Sequence, residues 1–151
     1  MREIILIQPK AGAWEKMGAR LPIGLLSVAA IPHKRGYKIK IIDQRIDVNW
    51  KKTLISSLKT NPLCVGLTCM TGKQIFYALE ASKIVKEHST VPVVWGGVHA
   101  TLLPEQTLEN KYVDLIVLRE GEITFAELVY ALEKNESLKK IKGIYYKQDG
   151  K

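Results

Sequence analysis

The sequence is poor in cysteine and has no long apolar segment. Its 151 residues include only two cysteines, Cys64 and Cys69, too few for a disulfide framework. Both fall on one predicted strand and cannot form a metal site without other ligands, so we expect buried thiols and no metal ligands. No apolar run approaches the ~20 residues that cross a bilayer, and the N-terminal residues lack a signal-peptide cleavage site. These absences predict a cytoplasmic protein without membrane contact.

Positive charge exceeds negative charge, but it is not concentrated. The formal net charge is +8, which could attract nucleic acid, anionic lipid or an acidic ligand. The basic residues are scattered, mostly where a helix ends or a polar face is expected. No stretch interleaves basic and aromatic side chains, the pattern typical of proteins that bind single-stranded nucleic acid. We therefore expect a solvated surface and no nucleic-acid partner.

Five apolar runs alternate with helical segments. The runs are nearly continuous, which is typical of parallel strands covered on both faces. This alternation predicts an α/β fold, a flavodoxin-like (Rossmann-like) three-layer sandwich with a five-stranded parallel sheet in the order 2-1-3-4-5. The predicted strands are 3–9, 38–43, 63–69, 91–97 and 113–120. The predicted helices are 22–36, 49–60, 71–88, 104–110 and 123–135.

A proline near the end of the first predicted helix and an Asp-Gly turn near the C-terminus affect where elements end. Pro32 falls inside the first predicted helix, and we expect it to make the last turn kinked or irregular. Residues 141–151 predict a C-terminal β-strand that runs into an Asp-Gly turn, as in a hairpin. The sequence stops just after this turn, so we interpret residues 1–151 as a single domain excised from a longer enzyme.

Small and hydroxyl-bearing residues follow the predicted strands. Ligands of such sheets bind at the carboxyl ends of the strands, near the point where the strand order reverses. Glycines let a large ligand approach the backbone closely, and hydroxyl groups can donate hydrogen bonds to it. The turns match neither a phosphate-binding loop nor the dinucleotide-binding glycine motif. The residues of interest after the third, fourth and fifth strands are Thr68, Thr71, Gly96, Gly97, Thr101 and Gly121.

The same strand ends offer no convincing catalytic group. His99 is the only histidine expected there, and the sequence shows nothing that would orient it. Glu120 and Glu122 could form a carboxylate pair, although Glu122 is also explained as an acidic residue at a helix start. Asp43 resembles a phosphate-accepting aspartate, but the acidic pair expected after the first strand is missing. We therefore predict no catalytic residue in this chain.

Several segments, in this order, resemble the N-terminal cobalamin-binding domain of cobalamin-dependent radical S-adenosylmethionine enzymes. This group includes methyltransferases and enzymes of the anaerobic magnesium-protoporphyrin monomethyl ester cyclase type. The resemblance runs from about residue 3 to residue 150, and the combination of G-G-x-H-A-T with E-G-E-x-T-F is its most specific part. The segments are "PIGLLSVAA", "GYKIKIIDQ", "VGLTCMTG", "WGGVHATLLPEQTL", "VDLIVLREGEITFAEL" and "IKGIYYKQDG".

The resemblance implies that cobalamin binds across the strand ends. In cobalamin domains of this fold, a serine or threonine after the third strand and two glycines after the fourth face the nucleotide tail. The resemblance carries these roles to Thr68, Met70, Gly96 and Gly97, with Gly121 and Glu122 lining the same slot or its mouth. The full set of predicted cofactor contacts is Asp43, Arg45, Thr68, Met70, Thr71, Gly96, Gly97, His99, Gly121 and Glu122.

Two departures from related proteins qualify this expectation. Better-known cobalamin domains carry Asp-x-His-x-x-Gly, whose histidine coordinates cobalt, but this chain has "DQRIDV" with Arg45 at the histidine position. A protonated guanidinium is not a cobalt ligand, so we expect base-off binding without a lower histidine. The chain also lacks the C-x-x-x-C-x-x-C motif of radical enzymes. We therefore expect S-adenosylmethionine and the [4Fe-4S] cluster to be bound only by a C-terminal radical domain of the parent enzyme.

Two alternatives stay open at this point. The domain could have lost the cofactor and serve in packing or substrate docking; the slot beneath Thr68 and Gly97 would then be filled by side chains such as Met70 or Trp95. Alternatively, a flavodoxin-like domain could bind a flavin or another anion. That alternative requires a phosphate-binding turn after the first strand, for which "PKAGAW" is a poor candidate, although Trp14 could stack on a flat ring.

Overall fold

The computed structural model describes residues 2–12 and 20–147. The predictions for Trp14 and for the Asp-Gly turn lie outside these residues. The strands are β1 (Glu3–Gln8), β2 (Lys38–Asp43), β3 (Cys64–Thr68), β4 (Val93–Gly96), β5 (Leu115–Val117) and β6 (Ile144–Tyr146). The α-helices are α1 (Ile23–Lys34), α2 (Trp50–Leu58), α3 (Gln74–His88), α4 (Val98–Leu102), α5 (Pro104–Leu108) and α6 (Glu122–Lys134). A short 3₁₀ helix spans Leu138–Lys140.

The six strands form one sheet in the order β2-β1-β3-β4-β5-β6. Strands β1 to β5 are parallel, and β6 pairs antiparallel with β5. The predicted α/β fold, its order 2-1-3-4-5 and its additional C-terminal strand are therefore confirmed. Since the order reverses beside β1, the carboxyl ends of β1 and β3 mark the position where such folds bind ligands.

Both faces of the sheet are covered, as the apolar runs predict. Successive side chains of a strand point to opposite faces, so Ile5 packs in one core with α2 and α3. Leu6 packs in the other core with α1 and α6, through residues such as Phe125. All four central residues of β1 are fully or almost fully buried. The sheet is thus the middle layer of a three-layer sandwich.

The helix containing Pro32 continues through it and ends two residues later. Proline has no backbone N–H to donate within the helix. Its own carbonyl accepts hydrogen bonds from the N–H groups of Arg35 and Tyr37, at 3.0 and 3.1 Å. These hydrogen bonds close the end of α1, and the chain enters β2 at Lys38 after a turn of three residues.

The C-terminal strand is anchored at the amino edge of the parallel sheet. The ammonium group of Lys147 donates to the carbonyls of Asn110 and Val113, at 2.7 and 2.8 Å. Burial lowers the pKa of this lysine below its ordinary value, while the nearby carboxylate of Asp114 opposes that shift. These contacts fix β6 beside β5 at the edge opposite the strand ends considered below.

Cys64 and Cys69 are both free and fully buried. Burial raises the pKa of each thiol to about 12. Both therefore stay protonated near neutral pH and act as small apolar groups, which confirms the predicted buried thiols. Among the described residues, no helix combines the length and apolar character needed to cross a membrane.

The almost fully buried indole of Trp95 has a serine as its hydrogen-bond partner. The indole N–H of Trp95 donates to Oγ of Ser82 over 2.9 Å, and that hydroxyl donates to the carbonyl of Ala78. We expect Ser82→Ala to lower the free energy of unfolding by about 2 kcal/mol, because the indole N–H loses its buried partner. Urea unfolding measures this, with Ser56→Ala on the exposed face of α2 as the control. Equal stability of the two variants would contradict the prediction.

Candidate functional site at the carboxyl edge of the sheet

A cavity of about 710 Å³ opens at the carboxyl edge of the sheet. It lies between α1, the start of α6 and the ends of β3, β4 and β5. Its volume falls within the range of small-molecule and cofactor sites. The inner wall is mainly apolar and includes Leu6, Leu25, Val28, Val94, Val117 and Phe125.

Two glycines of the sheet line the cavity. Gly66 lies on the cavity wall, where an added Cβ would come within 2.8 Å of a methyl group of Leu6 and 3.7 Å of the Phe125 ring. Gly96 lies on the wall nearer the mouth, and its Cβ would meet only carbonyl oxygens, at 3.7 Å or more. Gly96 therefore leaves open space beside the strand end, whereas Gly66 lets Leu6 pack closely against the strand.

Gly97 is a glycine for a backbone reason. Its φ is +88°, in the left-handed region that glycine tolerates. An added Cβ would lie 2.8 Å from Oγ1 of Thr68 and 2.9 Å from both N and O of Cys69. Gly97 borders the cavity, yet its lack of a side chain is already required by the neighbouring strand end.

The polar groups of the cavity lie mostly around its mouth. Thr68, Ser27 and Thr101 contribute hydroxyl groups, and three charged residues, Arg119, Glu120 and Glu122, surround the entrance. Oγ1 of Thr101 accepts a hydrogen bond of 2.8 Å from the backbone N–H of Arg119. The site therefore combines an apolar interior with a polar, partly charged entrance.

The ten predicted contacts divide into two groups. Thr68, Gly96, Gly97, Gly121 and Glu122 line the cavity. The other five do not line it: Asp43, Arg45, Met70, Thr71 and His99. Met70, Thr71 and His99 follow β3 and β4 outside the slot, whereas Asp43 and Arg45 lie at the end of β2.

Asp43 and Arg45 form an ion pair after β2. The Asp43 carboxylate accepts hydrogen bonds from Nε and Nη2 of Arg45, at 2.9 and 2.7 Å. The same Nη2 donates to the carbonyl of Arg20 over 2.6 Å. The guanidinium is mostly buried and held from two sides. It therefore links the end of β2 to the segment that precedes α1.

His99 has the orienting partner that the sequence did not reveal. Its Nδ1 lies 3.2 Å from Oγ1 of Thr71, and its backbone N–H donates to the carbonyl of Cys69. The side chain is buried, whereas the neighbouring Met70 is 55% exposed. These contacts connect α4 to the loop after β3, which is a structural role for the histidine. The described residues contain no group of three or more His, Cys, Asp or Glu that could hold a metal ion.

The sequence reasoning missed several residues that line the cavity. Gly24 and Ser27 lie three residues apart on α1, so they share one face of the helix. This small-residue spacing was a usable signal, because a bulky face there would close the cavity. Gly66 gave no comparable signal, since its place depends on how the strands pack. Arg119 was recognisable as a residue at the end of the fifth predicted strand, although it was not among the predicted contacts.

Residues 19–129 match the family model of the B12 binding domain. The chain belongs to the B12-binding domain family. This B12-binding domain is 35% identical over its full length to an uncharacterized methyltransferase of Pyrococcus horikoshii, covering 34% of that protein. It is 26% identical to the cytidylyl-2-hydroxyethylphosphonate methyltransferase of Streptomyces wedmorensis, over 99% of this chain and 32% of that protein. The chain thus spans about a third of the length of these relatives.

Solved structures of cobalamin-dependent radical enzymes share the fold. The B12-binding domain superposes with a TM-score of 0.85 on the radical S-adenosylmethionine methyltransferase TsrM of Kitasatospora setae, solved with cobalamin and a [4Fe-4S] cluster. The identity is 19%, over 98% of this chain and 27% of that one. For the cobalamin-dependent radical enzyme OxsB, the TM-score is 0.81 at 23% identity, over 99% and 21% of the chains.

The contact at Gly97 makes a prediction about stability. We expect Gly97→Ala to lower the free energy of unfolding by about 3 kcal/mol, because the methyl group meets backbone atoms and the residue must keep a positive φ. Gly72→Ala is the matched control, since Gly72 also has a positive φ but its Cβ would meet nothing within 4 Å. We expect about 1 kcal/mol there. Urea unfolding of both variants measures the difference, and equal losses would show that the contact with β3 contributes nothing.

Proposed function

We propose that this chain is the cobalamin-binding module of a radical S-adenosylmethionine enzyme. The observation that carries the proposal is the open cavity between the sheet and helices α1 and α6. The nucleotide tail of cobalamin ends in a flat aromatic base, and the apolar walls around Gly66 and Phe125 suit such a group. The corrin ring would lie across the strand ends.

The open slot supports cofactor binding over the packing or docking alternative. Trp95 is buried in the core on the opposite face of the sheet, where its indole bonds to Ser82. Met70 is exposed and does not line the cavity. Neither of the two side chains that could have filled the slot therefore does so.

The loop after β1 gives no support to flavin or anion binding. A phosphate site there would need backbone N–H groups directed at the ligand. The N–H of Lys10 instead donates to Oε1 of Gln44 over 3.1 Å. Gln44 is almost fully buried, and its amide group also donates to the carbonyl of Tyr77. Within the described part of this loop, which reaches Gly12, the N–H of Lys10 is thus directed to the protein and does not support a phosphate site at that residue.

We infer that cobalamin binds base-off without a histidine below the cobalt. None of the three histidines of the chain lies in the loop after β2. His33 and His88 belong to the last turns of α1 and α3, and His99 is directed to Thr71. Arg45 holds the position after β2 through its ion pair with Asp43. With the base in the cavity, no histidine of the loop after β2 would be available to bind cobalt.

The residues of the chain would bind and shield the cofactor. Hydroxyl groups of Thr68, Ser27 and Thr101 offer hydrogen bonds along the tail, and the apolar walls exclude water from its base. Bound cobalamin supplies a methyl carrier or a redox partner. The chemistry with S-adenosylmethionine and the [4Fe-4S] cluster belongs to a C-terminal radical domain of the longer parent chain.

Exposed apolar side chains around the mouth are consistent with such a second domain. Ile23, Val98, Leu102 and Ile123 are each more than half exposed. The first three line the cavity itself, and Ile123 directly follows Glu122 in the first turn of α6. A corrin ring together with a covering domain would remove these side chains from water.

The first test is direct binding. The purified chain is mixed with hydroxocobalamin, passed through a desalting column and examined by visible spectroscopy. We expect the protein fraction to retain the colour with a base-off spectrum. After reduction to cob(II)alamin, electron paramagnetic resonance should show no splitting from an axial nitrogen. Nitrogen splitting would contradict base-off binding without histidine, and a colourless fraction at high protein concentration would contradict cobalamin binding by this chain.

A second test blocks the slot without disturbing the fold. Gly24 lines the cavity in the first turn of α1, and its Cβ would meet nothing within 4 Å. We expect Gly24→Leu to lower cobalamin affinity at least about tenfold, because the side chain occupies the space of the base. Stability should not fall, since leucine favours helix by up to about 1 kcal/mol over glycine.

The matched control is Ala30→Leu, an exposed position of α1 that does not line the cavity. Spectral titration gives the affinities, and thermal melting gives the stabilities. Unchanged affinity for Gly24→Leu would place the base outside this cavity.

A further inference from the structure

Arg119 has an unusual backbone conformation. Three non-glycine residues have positive φ among those described: Asn61, Arg119 and Asn135. Asparagine tolerates the left-handed region, and Asn135 caps the end of α6 in the usual way. Arginine has no such tolerance, yet Arg119 has a φ of +60°. Conformations of this kind concentrate at functional sites, where the surrounding structure holds them.

The surrounding structure does hold Arg119. Its backbone N–H donates to Oγ1 of Thr101 on α4. Two residues later, Gly121 also has a positive φ. The carbonyl of Gly121 accepts the first hydrogen bond of α6, from Phe125 over 2.7 Å. The loop between β5 and α6 is therefore fixed at both ends, and Arg119 stays at the mouth of the cavity.

The guanidinium of Arg119 is the only positive group that lines this cavity among the described residues. Its charged neighbours there are Glu120 and Glu122. Within the described part of the chain, Arg119 makes no salt bridge, and its side chain makes no hydrogen bond. The exposed guanidinium of Arg119 is therefore available to bind an anionic group of a ligand at the mouth of the cavity, where Glu120 and Glu122 also lie.

We propose that Arg119 binds the phosphodiester of the nucleotide tail and makes the cavity selective for corrinoids with a complete tail. This inference depends on the proposed function of the site. A guanidinium pairs well with phosphate oxygens through charge-assisted hydrogen bonds. The two carboxylates would repel the phosphodiester in the absence of Arg119 and can accept hydrogen bonds from the neutral amide groups of the corrin.

The test compares two corrinoids that differ only in the tail region. Hydroxocobalamin carries the phosphodiester and base, whereas diaquacobinamide lacks both. Their affinities are measured by spectral titration for the wild-type chain, Arg119→Gly and Arg119→Asn. We expect both variants to bind hydroxocobalamin about tenfold more weakly and to bind diaquacobinamide as the wild type does. The melting temperature of the ligand-free variants should be unchanged or higher, since glycine and asparagine tolerate the backbone conformation.

Two control variants separate charge from backbone effects. Lys142→Gln removes a cation from the neighbouring hollow on the other side of the same loop, and Asn61→Gly relieves a positive φ far from the cavity. Neither should change the ratio of the two affinities.

Several results would overturn the inference. Equal losses for both corrinoids would show that Arg119 contacts the ring or only shapes the loop, while the proposed function would stand. Unchanged hydroxocobalamin affinity, or a lower melting temperature of both Arg119 variants, would assign Arg119 a purely structural role. If the wild-type chain bound neither corrinoid, the proposed function itself would fail together with this inference.

Discussion

The ends of β3 and β4 are held together by the backbone at Gly97. The N–H of Cys69 donates to the carbonyl of Gly96, and the N–H of His99 donates to the carbonyl of Cys69, both at 3.0 Å. These bonds leave no room for a side chain at Gly97. They also fix the start of α4, which carries Thr101 toward the loop after β5. The mouth of the cavity therefore depends on this one close approach.

The side chains that line the cavity change from apolar at its inner end to polar and charged at its entrance. Its inner end is lined by aliphatic and aromatic side chains and by the bare backbone of Gly66, an environment that favours an uncharged aromatic group. Its entrance carries Arg119 and two carboxylates on the loop between β5 and α6. A ligand that fits both ends must combine an apolar terminus with polar and charged groups nearer the surface. The tail of cobalamin has this order of groups.

Much of the fold could be predicted because it depends on local patterns. Near-continuous apolar runs identified β1 to β5, and the helical segments between them required parallel pairing with crossovers on both faces. The C-terminal strand was also recognisable from its alternation and turn residues. The reasons behind individual site residues were less accessible. From the sequence, Gly97 was expected to be a glycine because a ligand contacts it. In the structure, the backbone of Cys69 already leaves no room for a side chain at Gly97. The sequence showed no group that would orient His99, whereas its ring forms a hydrogen bond with Thr71, a residue 28 positions away.

The sequence by itself determined the α/β class and the edge of the sheet that carries the site, since these follow from hydrophobic periodicity and from the handedness of crossovers. The strand order was predicted from the common arrangement of such folds. Its motifs also determined the B12-binding family. Only the tertiary structure decided that the slot is open, because its depth depends on how Leu6, Gly66 and Phe125 meet from three separate elements. It alone also placed Arg119 at the entrance, since a left-handed arginine is held there by a hydroxyl from another helix.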